Sequence, residues 1–343
     1  MTPSAVHSNA VQSVGHDSAS QFEALRSGCG IFNLKSRAKI ALTGSDRVRW
    51  LNGMVTNNIR DLAIGAGVYA FLLSPQGHIQ ADLYAYNRGE SILLDTDRSQ
   101  LEKILAIFDR YIIMDDVEVA DISDQLRALA VIGPKAKETL KNARFDLPPL
   151  TTLQFAEALW QGKPVTIMRG DHPGVDWYEI WVAPGLFSSL IDALTGAGAV
   201  SVGPEAVNLL RIAAGIPRYG EDIRERDLPQ ETSQERSLNF NKGCYLGQEI
   251  VERIRSRGAV HRKFAGFEVE GDLPAPGTRV QSDGKDFGEI TSVAALPLQD
   301  GARNLAIGYI RREFVAGKKV QAGSTHLTVS NLPFAGIFSE EES

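Results

Sequence analysis

Lys242-Gly243-Cys244-Tyr245-Leu246-Gly247-Gln248-Glu249 is the least ordinary stretch of this 343-residue chain. A thiol sits there between a lysine and two glycines, and five basic residues, Arg253, Arg255, Arg257, Arg262 and Lys263, follow shortly after. A cysteine beside cations and near a helix start has its thiolate favoured, the form that attacks electrophiles, senses redox state or ligates soft metals. Gly243 and Gly247 allow a ligand or another backbone to approach closely. The residues alone leave a plainer alternative open. Free cysteines are among the most buried side chains, and Gln248 and Glu249 suit the first turn of any helix through the helix dipole. Arg253, Arg255 and Arg257, spaced by two, cannot share one helical face, so part of that set is expected to be solvated.

Outward from this stretch the chain is an acidic globule. It carries 36 basic and 42 acidic residues, a formal charge of -6, which argues against holding nucleic acid by an overall positive field and leaves any basic function local. Its length allows two or three domains. Cys29 and Cys244 are the only cysteines, which excludes a disulfide scaffold and points to a reducing compartment. Residues 1–20 have no Lys or Arg and no sustained apolar run, and are expected to be a disordered lead-in rather than a signal or transit peptide. No stretch approaches the roughly 18 apolar residues of a membrane span. The expectation is a soluble, cytoplasmic protein.

From residue 38 short β-rich runs alternate with turn signals. The middle pair, residues 67–77 and 78–89, reads as a hairpin turning at Ser74-Pro75-Gln76-Gly77. Leu101, Ile104, Leu105 and Phe108 then repeat at helical spacing over residues 97–110. A second round follows: strands at 117–122, 127–133, 164–170 and 177–183, a helix entered at Pro134, and helices at 186–194 and 204–214. Mixed strands with helices to one side predict an α+β body rather than a doubly wound parallel sheet. Gly28-Cys29-Gly30 lacks the third glycine of a dinucleotide fingerprint and opens no helix. After Lys263 the texture becomes all-β, with turns at Pro276-Gly277 and Asp283-Gly284, and closure into a small barrel would remove exposed edges. The expected domains are a body over residues 21–258, in two subdomains meeting near residue 120, a C-terminal barrel over 259–337, and an acidic tail over 338–343.

With those elements in place, residues 242–249 resemble the K-G-C-Y-x-G-Q-E signature of the YgfZ-type iron–sulfur cluster assembly and repair factors. The likeness extends through Thr56-Asn57, Gly77, Arg110-Tyr111, Gly215-Ile216-Pro217 and Leu228-Pro229-Gln230-Glu231, spanning residues 22–334. The resemblance implies the fold of the glycine-cleavage T-protein, a folate-dependent aminomethyltransferase. It implies a body of mixed sheets and helices that binds tetrahydrofolate, followed by a small C-terminal β-barrel. It also implies iron–sulfur assembly proteins or client enzymes as partners, with Cys244 as the reactive thiol and a candidate transient cluster ligand. One thiolate cannot hold a cluster alone, so no permanent metal site is expected and a partner must complete any such site.

Two departures from the T-protein pattern bear on chemistry. Where that family reads G-G-x-x-D-D, this chain has Gly77-His78-Ile79-Gln80-Ala81-Asp82, and where it reads L-R-L-E-A-G the glutamate is replaced by Ala213. Loss of a positioned acid or base costs orders of magnitude in rate, so an accessory factor is expected ahead of a transferase or demethylase, which remains the alternative. The resemblance points to Asn57, Asp82, Tyr178, Glu179 and Arg253 as folate contacts, since a pterin needs a few convergent polar groups and a glutamyl tail welcomes basic side chains. A thiol enzyme pairing Cys244 with His261 lacks an evident orienting carboxylate. An RNA-binding role for residues 253–263 lacks interleaved aromatics. None of the six histidines stands at ligand spacing from another histidine or a cysteine.

Overall fold

The structure, a computed structural model, describes residues 18–258, 260–299 and 301–338. The expected lead-in up to residue 17, and the tail beyond residue 338, lie outside the described residues. The chain begins with α1 (Ser18–Ser27), β1 (Gly30–Asn33), β2 (Arg37–Thr43), α2 (Arg47–Met54), β3 (Gly67–Leu73), β4 (Ile79–Asn87), β5 (Ile92–Asp97), α3 (Leu101–Tyr111) and β6 (Glu118–Asp121). It continues through β7 (Arg127–Ile132), α4 (Ala136–Asn142), β8 (Phe155–Trp160), β9 (Lys163–Arg169), β10 (Trp177–Val182), α5 (Phe187–Gly196), β11 (Val200–Ser201), α6 (Pro204–Ala213) and α7 (Gln248–Arg257). The last part is all β: β12 (Arg262–Glu270), β13 (Arg279–Ser282), β14 (Lys285–Leu298), β15 (Gly301–Arg311), β16 (Lys319–Ala322) and β17 (Thr325–Ser330).

This is the expected α+β architecture. An antiparallel sheet of order β3-β4-β5-β2-β6 faces a second sheet of order β11-β1-β7-β10-β9-β8, antiparallel except where β11 joins β1. The second sheet borrows β1 from the start of the chain, so the two sheets are not consecutive in sequence. The C-terminal strands close a six-stranded barrel in the order β12-β15-β14-β13-β16-β17. The hairpin turn forms where the sequence placed it: Ser74 and His78 close it, and Gly77 takes φ +76°, a conformation open to glycine. Among the described residues no helix is long and apolar enough to cross a membrane.

Strand alternation sets what each sheet face does. On the first sheet Ala38, Ile40, Leu42, Ala81, Leu83, Ala85, Ile92 and Leu94 point toward α2 and α3, where they meet Trp50, Leu51, Ile104 and Phe108. The opposite face carries Arg37, Lys39, Asp82, Tyr84, Tyr86 and Asp95. An isolated sheet would give that face to water, but here the second sheet covers it. Trp181 of β10 packs on Tyr86 edge to face at 5.4 Å and lies under the Lys39 ammonium at 4.1 Å. Lys39 and Asp95 are each only 2 % exposed as a result. The barrel is tied to the body by a buried hub in which Asp222 accepts from Arg211 (2.5 Å), Thr291 (2.5 Å) and Ser292 (2.7 Å).

Candidate functional site

Between the two sheets lies a cavity of about 210 Å³. The first sheet contributes Arg37, Tyr84, Tyr86 and Asp95, and the second contributes Met168, Trp177 and Glu179. Asp171 and His172 come from the β9–β10 loop, Arg211 from α6, and Arg218 and Arg236 from the segment before α7. Polar edges and flat aromatic faces converge in an otherwise apolar space, the general form of a small-molecule site.

The charges inside are arranged, not scattered. Asp95 accepts from Arg37 and pairs with Lys39 at 2.9 and 2.7 Å. Burial alone would raise its pKa, but the two cations pull it below the ordinary carboxylate range. Glu179 accepts from the Trp181 indole at 2.9 Å, and burial holds its carboxyl above the usual range against the opposing pull of Lys39. Arg236 ion-pairs with Asp171 across the cavity wall, and Asp171 also accepts from Tyr84 at 3.0 Å. His172 stacks on Trp177, and its Nδ1 accepts from the Gly174 N–H. Burial pushes its pKa down to about 4, so the ring is neutral at neutral pH.

The residues singled out in the sequence fall into distinct places. Glu179 lines the cavity. Asp82 lies on the same strand face as Tyr84 and Tyr86, its carboxylate accepting from Tyr69 at 2.8 Å and Gln100 at 2.7 Å. Tyr178 points to the other side of β10, into the core under α4 and α5, where its hydroxyl meets Arg169 at 2.7 Å. Asn57 is buried and fully engaged, donating to the carbonyls of Tyr69 and Arg236 at 2.9 and 2.8 Å. Arg253 is exposed on α7 and does not line the cavity. Ala81 and Ala213 are both fully buried among apolar side chains, and neither lines the cavity. The alternation of β4 turns residue 81 toward α2 and α3, away from the space where Asp82 sits.

Sequence reading missed Arg37, Lys39, Asp95, Tyr84, Trp177, His172 and Arg236. The signal was there in phase: Arg37-x-Lys39, Asp82-x-Tyr84-x-Tyr86 and Asp95 all occupy the polar face of their strands. It resembles an ordinary solvated face until the covering sheet is known.

The signature stretch forms a second site at the β3 edge of the first sheet, beside α2 and the hairpin turn. Lys242 turns inward, its ammonium donating to the carbonyls of Asn52, Val55 and Asn57, each at 2.6 Å, at and just beyond the C-terminal end of α2. Three N–H donors meet three acceptors that a helix end leaves open. Burial, with Arg60 nearby, pushes its pKa down to about 7, while the three carbonyls favour the charged form. Tyr245 is buried, and the Leu246 N–H donates to Gly53 at 3.0 Å. Gly247 adopts φ +80° against the hairpin turn, where a Cβ would come within 2.5 Å of the Ser74 carbonyl. Between these anchors Cys244 is exposed, over a shallow groove lined by Met54, Pro75, Tyr111 and Glu249. Lys242 is therefore not a cation presented to the thiol, and α7 begins four residues after Cys244, at Gln248.

Cys29 is buried in the core of the second sheet, and its thiol is pushed up by burial. His261 lines a separate depression beside the barrel, with Arg262, Glu231 and Tyr309. The basic run disperses: Arg255 lies over Phe240 at 4.5 Å, and Arg262 pairs with Asp227 and Glu231 at 2.7 and 2.8 Å. Among the described residues no group of His, Cys, Asp and Glu is placed to hold a metal ion.

Two sheets around a polar cavity, followed by a closed barrel, define the class of protein, and comparison with known proteins places the chain within it. Residues 6–242 match the GCVT N-terminal domain family, and residues 261–335 match the CAF17 C-terminal beta-barrel domain. The chain belongs to the GCVT-domain family, whose curated relatives include aminomethyltransferases. It is 30 % identical to the aminomethyltransferase of Rubrobacter xylanophilus over 303 residues, covering 88 % of this chain and 81 % of that protein. It is 30 % identical to the aminomethyltransferase of Bacillus subtilis over 286 residues, covering 81 % and 78 %. The crystal structure of the glycine cleavage system aminomethyltransferase T from Bartonella henselae superposes with a TM-score of 0.83 at 24 % identity, over 94 % of this chain and 90 % of the other, a likeness of fold.

Proposed function

We propose that this chain is a YgfZ-type factor of the cytoplasm that binds tetrahydrofolate between its two sheets and supports assembly or repair of iron–sulfur clusters in client enzymes through Cys244. The observation that carries the second half is the Cys244 loop: an exposed thiol, outside the cavity, on a backbone fixed at both sides by Lys242 and Gly247. A thiol held this way is presented to another macromolecule, and its softness suits iron–sulfur chemistry. The matched C-terminal barrel domain supports the same assignment.

For the first half, the cavity residues fit the ligand chemically. Glu179 offers a carboxyl to the amidine edge of a pterin, Trp177 and Tyr86 offer ring faces, and Arg218 and Arg236 offer cations to a glutamyl tail. The test is the activity of aconitase in a bacterium lacking its YgfZ-type protein, supplied with this chain as wild type or as Cys244→Ala. Rescue by wild type alone ties cluster maintenance to the thiol. Rescue by neither removes the proposal.

One observation favours a second function, a folate-dependent aminomethyltransferase or demethylase. Residue 81 faces the apolar core, so its alanine takes no carboxylate from the cavity, and Asp82 remains on the strand face of Tyr84 and Tyr86, next to the cavity lining and bonded to Tyr69 and Gln100. Tetrahydrofolate-dependent release of a one-carbon unit from an aminomethyl or N-methyl donor by the purified chain would establish it. An Asp82→Asn variant as active as wild type would leave that residue without a catalytic part.

A further inference from the structure

We infer that Lys242 acts as a positioning residue, an ammonium clamp that locks the Cys244 loop to residues 52–57, the turn that also holds the backbone of Arg236, a residue of the cavity wall. The inference rests on the reading of Cys244 as the working thiol.

The geometry has two halves. On one side, Lys242 Nζ holds the carbonyls of Asn52, Val55 and Asn57, each at 2.6 Å. This cradle is itself built by side chains: Asn52 Oδ1 accepts from the N–H groups of Ile59 and Arg60 at 3.0 and 3.3 Å, and Asn57 Oδ1 accepts from Asn58 at 2.8 Å. On the other side, the chain that leads to Lys242 is stitched to the same turn. Asn57 Nδ2 donates to the Arg236 carbonyl at 2.8 Å, Thr56 Oγ1 to the Ser237 carbonyl at 2.6 Å, and the Asn239 N–H to the Thr56 carbonyl at 3.1 Å. Arg236 lines the cavity. From Arg236 to Lys242 the segment thus lies in fixed register on residues 52–57, with the thiol two residues further on.

A lysine is the side chain this task requires. Its single nitrogen directs three N–H bonds tetrahedrally at three converging carbonyls, whereas the planar guanidinium of arginine spreads its donors in a fork. Gly243 leaves the far side open, since a Cβ there would meet only Arg60, at 3.8 Å. The fixed side of the loop is its Lys242 side, and the free side is where Cys244 emerges.

The test is amide hydrogen exchange on the full-length protein, comparing wild type with Lys242→Ala and Lys242→Arg. Loss of the clamp should speed exchange at Leu246, whose N–H bonds to Gly53, roughly tenfold or more, while barrel amides such as Ile307 stay protected. Asn52→Ala, which loosens the cradle from its other side, should speed the same amide. Propylammonium should restore slow exchange to Lys242→Ala and 1-butanol of similar size should not, because the lost interaction is with a charge rather than a volume. Unchanged exchange at Leu246 in Lys242→Ala, or equal restoration by the alcohol, would overturn the inference. Cys244→Ala in the aconitase rescue tests the thiol separately. If that variant rescues, the proposed function falls while the exchange data still decide the clamp.

Discussion

The cavity and the thiol loop solve opposite problems with the same kind of interaction. In the cavity, strand alternation delivers Arg37, Lys39 and Asp95 to a face that the second sheet, bringing Glu179, then buries, so the charges must satisfy one another. At the loop a single charge, Lys242, is drawn inward so that its neighbour Cys244 can stay outside. Buried charge in the first place shapes a container, and in the second it fixes a projection. The cavity lies between the two sheets, and the exposed thiol lies apart from it, beside α2 and the β3–β4 turn.

The comparison breaks most visibly where a buried charge loses its partner. Asp95→Ala leaves Arg37 and Lys39 unpaired between the sheets and should cost about 3–5 kcal/mol, read as a lowered urea midpoint, whereas Cys244→Ala should leave that midpoint unchanged. Equal midpoints for wild type and Asp95→Ala would mean that the inter-sheet charges are not a structural unit. Acid should act on the cavity as well. His172 has a folded pKa of about 4 against an ordinary value near 6.5, so the unfolded chain binds more protons between those values. Its contribution, at most about 3.4 kcal/mol, is complete above pH 6.5 and is lost as pH falls through 4. His172→Asn should flatten that part of the stability curve, and an undiminished slope would assign it to other groups.

At the loop, Gly247→Ala forces a side chain into a left-handed position 2.5 Å from the Ser74 carbonyl. A loss of roughly 2 kcal/mol is expected, with slowed rescue of aconitase and folate binding intact. A variant as stable as wild type would show that the hairpin turn yields. Glu179→Gln is the converse probe: calorimetry should show tetrahydrofolate binding weakened about tenfold or more, with rates of Cys244 alkylation untouched. Unaltered affinity would move the pterin contact elsewhere in the cavity.

The two regions were unequally legible in the sequence. The loop announced itself because its chemistry is contiguous: a thiol, a lysine and two glycines within eight residues, each with a structural task that spacing alone did not reveal. Lys242 is the instructive case, since adjacency suggested a cation for the thiol and the fold turns it to a helix end instead. The hairpin, the amphipathic α3 and the barrel were also visible, since local periodicity and turn residues determine them. The cavity was not, because its walls come from strands remote in sequence. The polar faces of β2, β4 and β5 look like solvent faces until β10 covers them, and the same alternation shows why Ala81 carries little information about chemistry while its neighbour Asp82 carries more. α2, with Asn52 and Gly53 in its last turn, has poor helix formers where it ends, and it is not among the elements expected from the sequence.

The separation of the two sites is tested most directly by one variant measured two ways. Cys244→Ala should bind tetrahydrofolate with the affinity of wild type in calorimetry and fail to restore aconitase activity at equal abundance in the deficient bacterium. Full restoration by Cys244→Ala would contradict the account, leaving the cavity as the working site and the thiol as a bystander.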